Sequence, residues 1–312
     1  MSWRSLPRRF RAGLLGLGTI CGAVLIGPLL LGPAPQTDSE HAALLPPGTR
    51  ITIVEMNDGR HLAAPRVLEK GDNLILEGRR QTTEVGKSAV STRTSRRAWL
   101  GTDRFGRDVL HLMLRGGRVS IAIAGLGTLI ALLVGIVVGL TAATAGPLID
   151  GILMRTVDAF LAFPALLLLI LAASVLRPGP TTLVLLLGLT SWMGLTRLVR
   201  GQVLSIRERQ FVLAARVAGT PWYRVWIWHY LPEIRGPVAQ DVALRLGDLI
   251  LAEATLSYLG LGLPPTTPTW GQLVSEGHRV MLDAWWLSTL PGVAIALLVI
   301  SCALIGDGLQ DS

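Results

Sequence analysis

The chain has 312 residues, 50% of them apolar and only 16% charged, against about 25% charged in soluble domains. Several apolar runs approach the length of a membrane span, which excludes an ordinary soluble globular protein. The net charge is +8, but the arginines that carry it flank apolar runs, the orientation signal of a membrane protein rather than the footprint of a nucleic-acid binder.

Arg4, Arg8, Arg9 and Arg11 precede an apolar run from Ala12 to about Leu31. With Pro33-Ala34-Pro35 behind it, this run looks like a secretory signal, but it is long enough to span and no small-x-small cleavage site comes after it. Bulky Ile20 before Cys21 spoils a lipoprotein box. Residues 1–34 are therefore expected to be a cytoplasmic tail and an uncleaved first span. Cys21 and Cys302 both fall in apolar spans, so no disulfide is expected.

Residues 35–98 differ in character. Thr49–Met56 alternates apolar and polar as a half-buried strand does, Asn57-Asp58-Gly59 signals a turn, and residues 72–78 offer a second strand. A small β-rich insert outside the membrane is expected, with disorder as the competing reading because 79–97 is polar and charge-rich. Gly86-Lys87-Ser88 looks like the end of a phosphate-binding loop, but Gln81 stands where its first glycine is required, so nucleotide binding by this chain is rejected.

The region 99–312 reads as five further spans. In residues 100–120, Thr102 or Asp103 can cap a short amphipathic surface helix bearing Val109, Leu110, Leu112 and Met113. The second span, about 119–142, carries Gly135 and Gly139 at a spacing that permits close helix packing. The third, about 153–175, has Pro164 as a kink, and Arg155 and Asp158 can pair near its inner end. A turn at 177–180 leads into the fourth span, about 181–199.

Residues 205–235 interrupt the apolar pattern. Ala214 and Ala215 end a helix-forming run, Gly219 can take the left-handed conformation that stops it, Thr220 can cap a second helix and Pro221 suits its first position. That second helix, from Trp222 to about Tyr230, is expected to end before Leu231-Pro232. Arg197, Arg200, Arg207, Arg209, Arg216, Arg224 and Arg235 outnumber Glu208 and Glu233, which predicts a cytoplasmic loop and agrees with the span count.

The fifth span, about 238–258, holds Asp241, Arg245 and Asp248 on one face and Glu253 on another. Intramembrane charges are costly and should pair or face water. They are candidates either for structural pairs, Arg245 with Asp241 or with Asp248, or for a pathway lining that meets polar substrate. A Pro/Gly-rich outer loop, 259–277, precedes the last span, about 287–305.

Four motifs carry a resemblance over about residues 100–312. The 205–235 stretch resembles the cytoplasmic coupling loop of ABC-importer permeases: Ala214-Ala215, Gly219 and Leu231-Pro232 match, while Leu213 stands at the usual Glu and His229 at the usual Ile. Gly101, Thr102, Asp103, Gly106, Arg107 and Asp108 are similar to the segment before the second span of peptide/nickel-type permeases. Residues 252–262, with Glu253, the loop residues Pro265, Pro268, Trp270 and Gly271, and the end Gly306, Asp307, Gly308, Leu309 and Asp311 also match. The chain is identified as a member of the peptide/nickel-type permeases, of the dipeptide-permease C subtype. The resemblance implies an all-α polytopic fold of six transmembrane helices with the ABC type I importer (MetI-like) core, in the bacterial inner membrane with both termini cytoplasmic.

It also implies a non-catalytic subunit that lines half of a pathway for peptides and pairs with a homologous second permease. Two ABC ATPase subunits would drive it, and an extracytoplasmic solute-binding protein would deliver cargo. Nickel, glutathione or another small solute is the alternative cargo. No HExxH, GxSxG or paired His/Cys spacing points to catalysis, metal or cofactor. A proton-coupled secondary transporter using Asp241, Arg245, Asp248 and Glu253 is the other class, but it would not need the cytoplasmic loop.

Overall fold

A computed structural model describes residues 7–31, 40–79, 81–177 and 179–310; Arg4, Pro33-Ala34-Pro35, Pro178 and Asp311 lie outside them. The chain divides into two compact units: Met1–Ile20, Ser120–Pro264 and Ile295–Ser312 form one, Cys21–Val119 and Pro265–Ala294 the other. Among the described residues, four helices are long and apolar enough to cross a membrane: α1 (Arg8–Leu31), α2 (Val109–Thr144), α5 (Pro180–Ile206) and α10 (Trp286–Gln310). α3 (Pro147–Leu161) and α4 (Ala165–Val175) meet that criterion only together, and they are bent by 82°. The expected kink at Pro164 is thus a full break. Proline removes an amide donor and its ring excludes a preceding helical turn, so α3 stops and α4 restarts after it. α8 (Leu231–Tyr258) is as long as a span but carries six ionisable residues, from Glu233 to Glu253.

In the first unit, α5 packs against α3, α4 and α8. The Gly135/Gly139 pair on α2 turns out to face α5. A Cβ on Gly135 would sit 2.9 Å from the Leu195 side chain, and one on Gly139 2.8 Å from that of Val199. Only hydrogen fits there, and the backbones approach accordingly. Ion pairs tie α3 to α5. Asp150 takes Arg200 through two oxygens at 2.5 and 2.6 Å, and Asp158 takes Arg197. The expected Arg155–Asp158 pair is therefore replaced by a partner 39 residues away, because α5 brings a guanidinium to the same carboxylate.

In the second unit, six strands make two antiparallel sheets: β1 (Thr49–Met56), β2 (His61–Ala64) and β6 (Val90–Ala98) in the order β2-β1-β6, and β3 (Arg66–Lys70), β4 (Asn73–Glu77) and β5 (Thr82–Gly86) in the order β3-β4-β5. The two sequence-read strands are β1 and β4, and Gly59 at φ 81° completes the turn between β1 and β2. β1 is buried on both faces rather than half-buried. Ile51 joins Ala42, Leu45, Ala63 and Ala98, while Val54 packs with Ala64, Leu76 and Val85.

The 100–120 stretch forms no separate surface helix. Asp103 is buried and closes a turn: it accepts from the amides of Phe105 (2.9 Å) and Arg107 (2.8 Å) and from the Arg107 guanidinium (2.6 Å), with Gly106 at φ 79°. Asp108, rather than Thr102 or Asp103, accepts from Leu110 N at 2.8 Å, at the first turn of α2. A carboxylate that can satisfy three local donors favours this closed turn over a helix. Trp270, at the start of α9 (Trp270–His278), is buried and donates to Met113 O at 2.9 Å.

Candidate functional site

The polar stretch folds as a clipped hairpin of helices. α6 (Gln210–Val217) ends with the paired hydrogen bonds of a left-handed stop: Gly219, at φ 77°, donates to Arg216 O at 3.0 Å and Thr220 to Ala215 O at 3.0 Å. Ala214, Ala215 and Gly219 therefore build the elbow that the sequence predicts. Thr220 does not cap the second helix. The cap residue is Pro221, in extended conformation with no side-chain hydrogen bond, and α7 (Trp222–Val225) begins after it.

The second helix does not end at Leu231-Pro232. α7 runs into a π turn, Trp226–Tyr230, and then directly into α8. Leu231 N donates to Trp226 O, five residues back. The wider turn moves the preceding carbonyls off the proline ring and asks nothing of the missing Pro232 amide, so the backbone stays helical where a plain α-helix would break. Helical backbone is thus continuous from Trp222 to Tyr258, about 55 Å of rise.

Three contacts clip α6 to the start of that rod: Arg209 to Glu233 at 3.1 Å, Arg216 to the Tyr230 hydroxyl at 2.7 Å, and the Phe211 and His229 rings at 6.0 Å. His229, which stands at the usual Ile, therefore packs on an aromatic ring. Val212, Val225 and Tyr230 anchor the hairpin in a core with Leu140 of α2, Val199 and Val203 of α5 and Ile234 of α8. The outer side is apolar and open: Val217 is 90% exposed and Trp222 66%, with Leu213 and Trp228 also exposed. A cleft of about 400 Å³ lies between Thr141 and Thr144 of α2, with Ala145 just after it, and Arg216, Thr220, Trp222 and Trp226.

Further along the rod, Arg245 holds Asp241 through two hydrogen bonds of 2.9 Å and donates to the Ser191 carbonyl of α5. Asp248 is exposed and makes no ion pair among the described residues. Glu253 is fully buried and accepts from Ser257 Oγ at 2.7 Å. The four charges thus form one pair, one exposed carboxylate and one buried carboxylate rather than a chain of contacts. Sequence reasoning missed the Arg197 and Arg200 pairs. Their signal was present as two arginines near the end of a span that also needed partners.

The family described as "binding-protein-dependent transport system inner membrane component" matches residues 131–312. The chain belongs to this family. Among curated relatives, the dipeptide transport system permease protein DppC of Bacillus subtilis is 35% identical over 215 residues, 69% of this chain and 67% of that one. The di/tripeptide transport system permease protein DppC of Pseudomonas aeruginosa is 37% identical over 217 residues, 68% and 70% of the two chains. A chain of the MetNI methionine ABC transporter in an inward-facing conformation aligns with a TM-score of 0.54 at 18% identity, over 63% of this chain and 94% of that one. That likeness concerns the fold, the MetI-like permease core. The chain is accordingly the membrane permease component of an ABC importer, and the family implies ATPase and binding-protein partners.

Proposed function

We propose that this permease lines half of a translocation pathway for di- and oligopeptides, beside a homologous second permease. It is non-catalytic and is driven by two cytoplasmic ABC ATPases through the 205–235 loop. Six spans are proposed, α1, α2, the broken α3–α4 pair, α5, α8 and α10, with both termini cytoplasmic and the 35–98 insert on the extracytoplasmic side, where a solute-binding protein delivers cargo. α8 serves as the sixth because three of its charges are sheltered by protein: Arg245 is neutralised by Asp241, and Glu253 is buried, which leaves Asp248 to face the pathway.

The observation that carries the mechanism is the unbroken helical backbone from Trp222 to Tyr258. Ala214, Ala215, Gly219, Thr220 and Pro221 form the tip seated in an ATPase groove, and the exposed Val217 and Trp222 supply its apolar contact. ATP-driven closure displaces the tip. The π turn at Leu231-Pro232 passes the displacement into α8, and α8 carries Asp241, Arg245 and Asp248 along the pathway. One bistable bundle is thereby biased from one end. The peptide names of the DppC relatives support peptide as cargo over nickel or glutathione.

The test is ATP-dependent uptake of a labelled dipeptide by proteoliposomes holding the complete importer, with Ala215→Cys crosslinked to cysteines placed on the ATPase surface. Crosslinking together with uptake that stops on ATP depletion is expected. Uptake that persists without ATP and tracks a proton gradient would overturn the coupling role. Competition by nickel or glutathione, but not by peptides, would overturn the cargo.

A further inference from the structure

Away from the coupling loop, the unit made of residues 21–119 and 265–294 contains a polar cleft of about 470 Å³. Arg107 neutralises its inner part, reaching Asp103 at 2.6 Å and Glu276 at 3.7 Å. Two opposite charges at the same cleft are left over. Arg104 makes no ion pair among the described residues, and its guanidinium lies over the Phe105 ring, 4.5 Å from the centroid. Glu40 accepts from the Gln81 amide at 2.5 Å but faces no cation within ion-pair distance among the described residues. Phe105 is 42% exposed and lines the cleft with them.

The cleft therefore offers a cation, an anion and an apolar ring. A ligand with only negative charge meets Glu40, and one with only positive charge meets Arg104; a ligand bearing both satisfies both. The volume lies in the range of small-molecule sites, about 300–1,000 Å³, and suits an extended peptide of about two or three residues at ~3.3 Å each. The turn that presents Arg104 and Phe105 is already fixed by the Asp103 carboxylate, so little ordering is lost on binding.

We infer that this cleft is a subsite for short zwitterionic peptides, in which Arg104 takes the terminal carboxylate, Glu40 the terminal ammonium and Phe105 an apolar side chain. The inference rests on the peptide-importer reading and its topology, which puts the cleft on the side where cargo arrives.

The test uses the assembled importer in lipid nanodiscs without its solute-binding protein, with alanyl-phenylalanine as probe and saturation-transfer NMR as readout. Arg104→Ala and Glu40→Gln are each expected to weaken binding about tenfold or more, the loss of a charge-assisted contact. N-acetyl-alanyl-phenylalanine amide, which carries neither charge, is expected to give no transfer. Unchanged affinity in either variant, or equal transfer to the blocked peptide, overturns the subsite. ATP-driven peptide uptake by the same assembly, with the binding protein restored, separates the two readings. Uptake without cleft binding overturns only the subsite, and cleft binding without uptake overturns only the import reading.

Discussion

Pro28 sits inside α1 and has no amide to offer Val24 O, its partner four residues back. Arg118 of α2 fills the gap: its Nε donates to Val24 O at 2.8 Å and its Nη2 to Leu25 O. Gly27 permits the approach, since a Cβ there would lie 2.8 Å from Leu114. Val24 is 4% exposed, so without Arg118 its carbonyl is left without water or donor. Arg118→Leu should therefore cost about 1–3 kcal/mol, the penalty of one buried unsatisfied acceptor. In a Pro28→Ala background the helix supplies its own amide to Val24 O, and the same substitution should cost less than about 1 kcal/mol. Equilibrium SDS unfolding of the purified permease, run as a double-mutant cycle, measures the difference. An equal cost in both backgrounds refutes the assignment of Arg118 to the carbonyl that proline vacates.

Gly219→Ala meets no steric obstacle, only the left-handed φ, so it should destabilise the elbow by about 1–2 kcal/mol and lower the crosslinking of the tip to the ATPase; unchanged crosslinking would count against the elbow. Asp241→Ala leaves the partly buried Arg245 without its carboxylate and should cost about 1–3 kcal/mol after discounting for solvent access, whereas Asp241→Ala with Arg245→Leu should recover most of it. Unfolding curves of the three proteins decide this, and a double variant as unstable as the single one would defeat it. Burial pushes the Glu276 carboxyl above its ordinary 4.5, although Arg107 and Arg104 pull it back. The folded state then holds the proton that the unfolded state releases, so this contribution to stability is present below the ordinary value and is lost as pH rises through the folded value. Thermal unfolding over roughly pH 4 to 7 should slope downward in the wild type and flatten in Glu276→Gln; identical slopes would contradict it.

The sequence determined the four long apolar helices α1, α2, α5 and α10, the β1 and β4 strands and the left-handed stop at Gly219, because each is a local property. A run of apolar residues must leave water, an alternating run must lie on a pleated sheet, and one residue type tolerates positive φ. It also carried the family, through motifs whose spacing survives without knowledge of their contacts. What it left undetermined are choices between alternative partners and alternative backbone paths. Asp158 takes Arg197 rather than Arg155, and Arg245 takes Asp241 rather than Asp248. Leu231-Pro232 continues a helix, through a π turn, instead of ending one. In each case the local rule is one modest term, and a buried charge or an unpaired backbone group is a larger one. For Asp158, tertiary packing decides by delivering Arg197 from α5, a matter of geometry across helices rather than of neighbours in the chain. Arg245 takes the carboxylate one turn back on its own helix while it also reaches the Ser191 carbonyl of α5, and the π turn is closed within the chain by Leu231 N to Trp226 O.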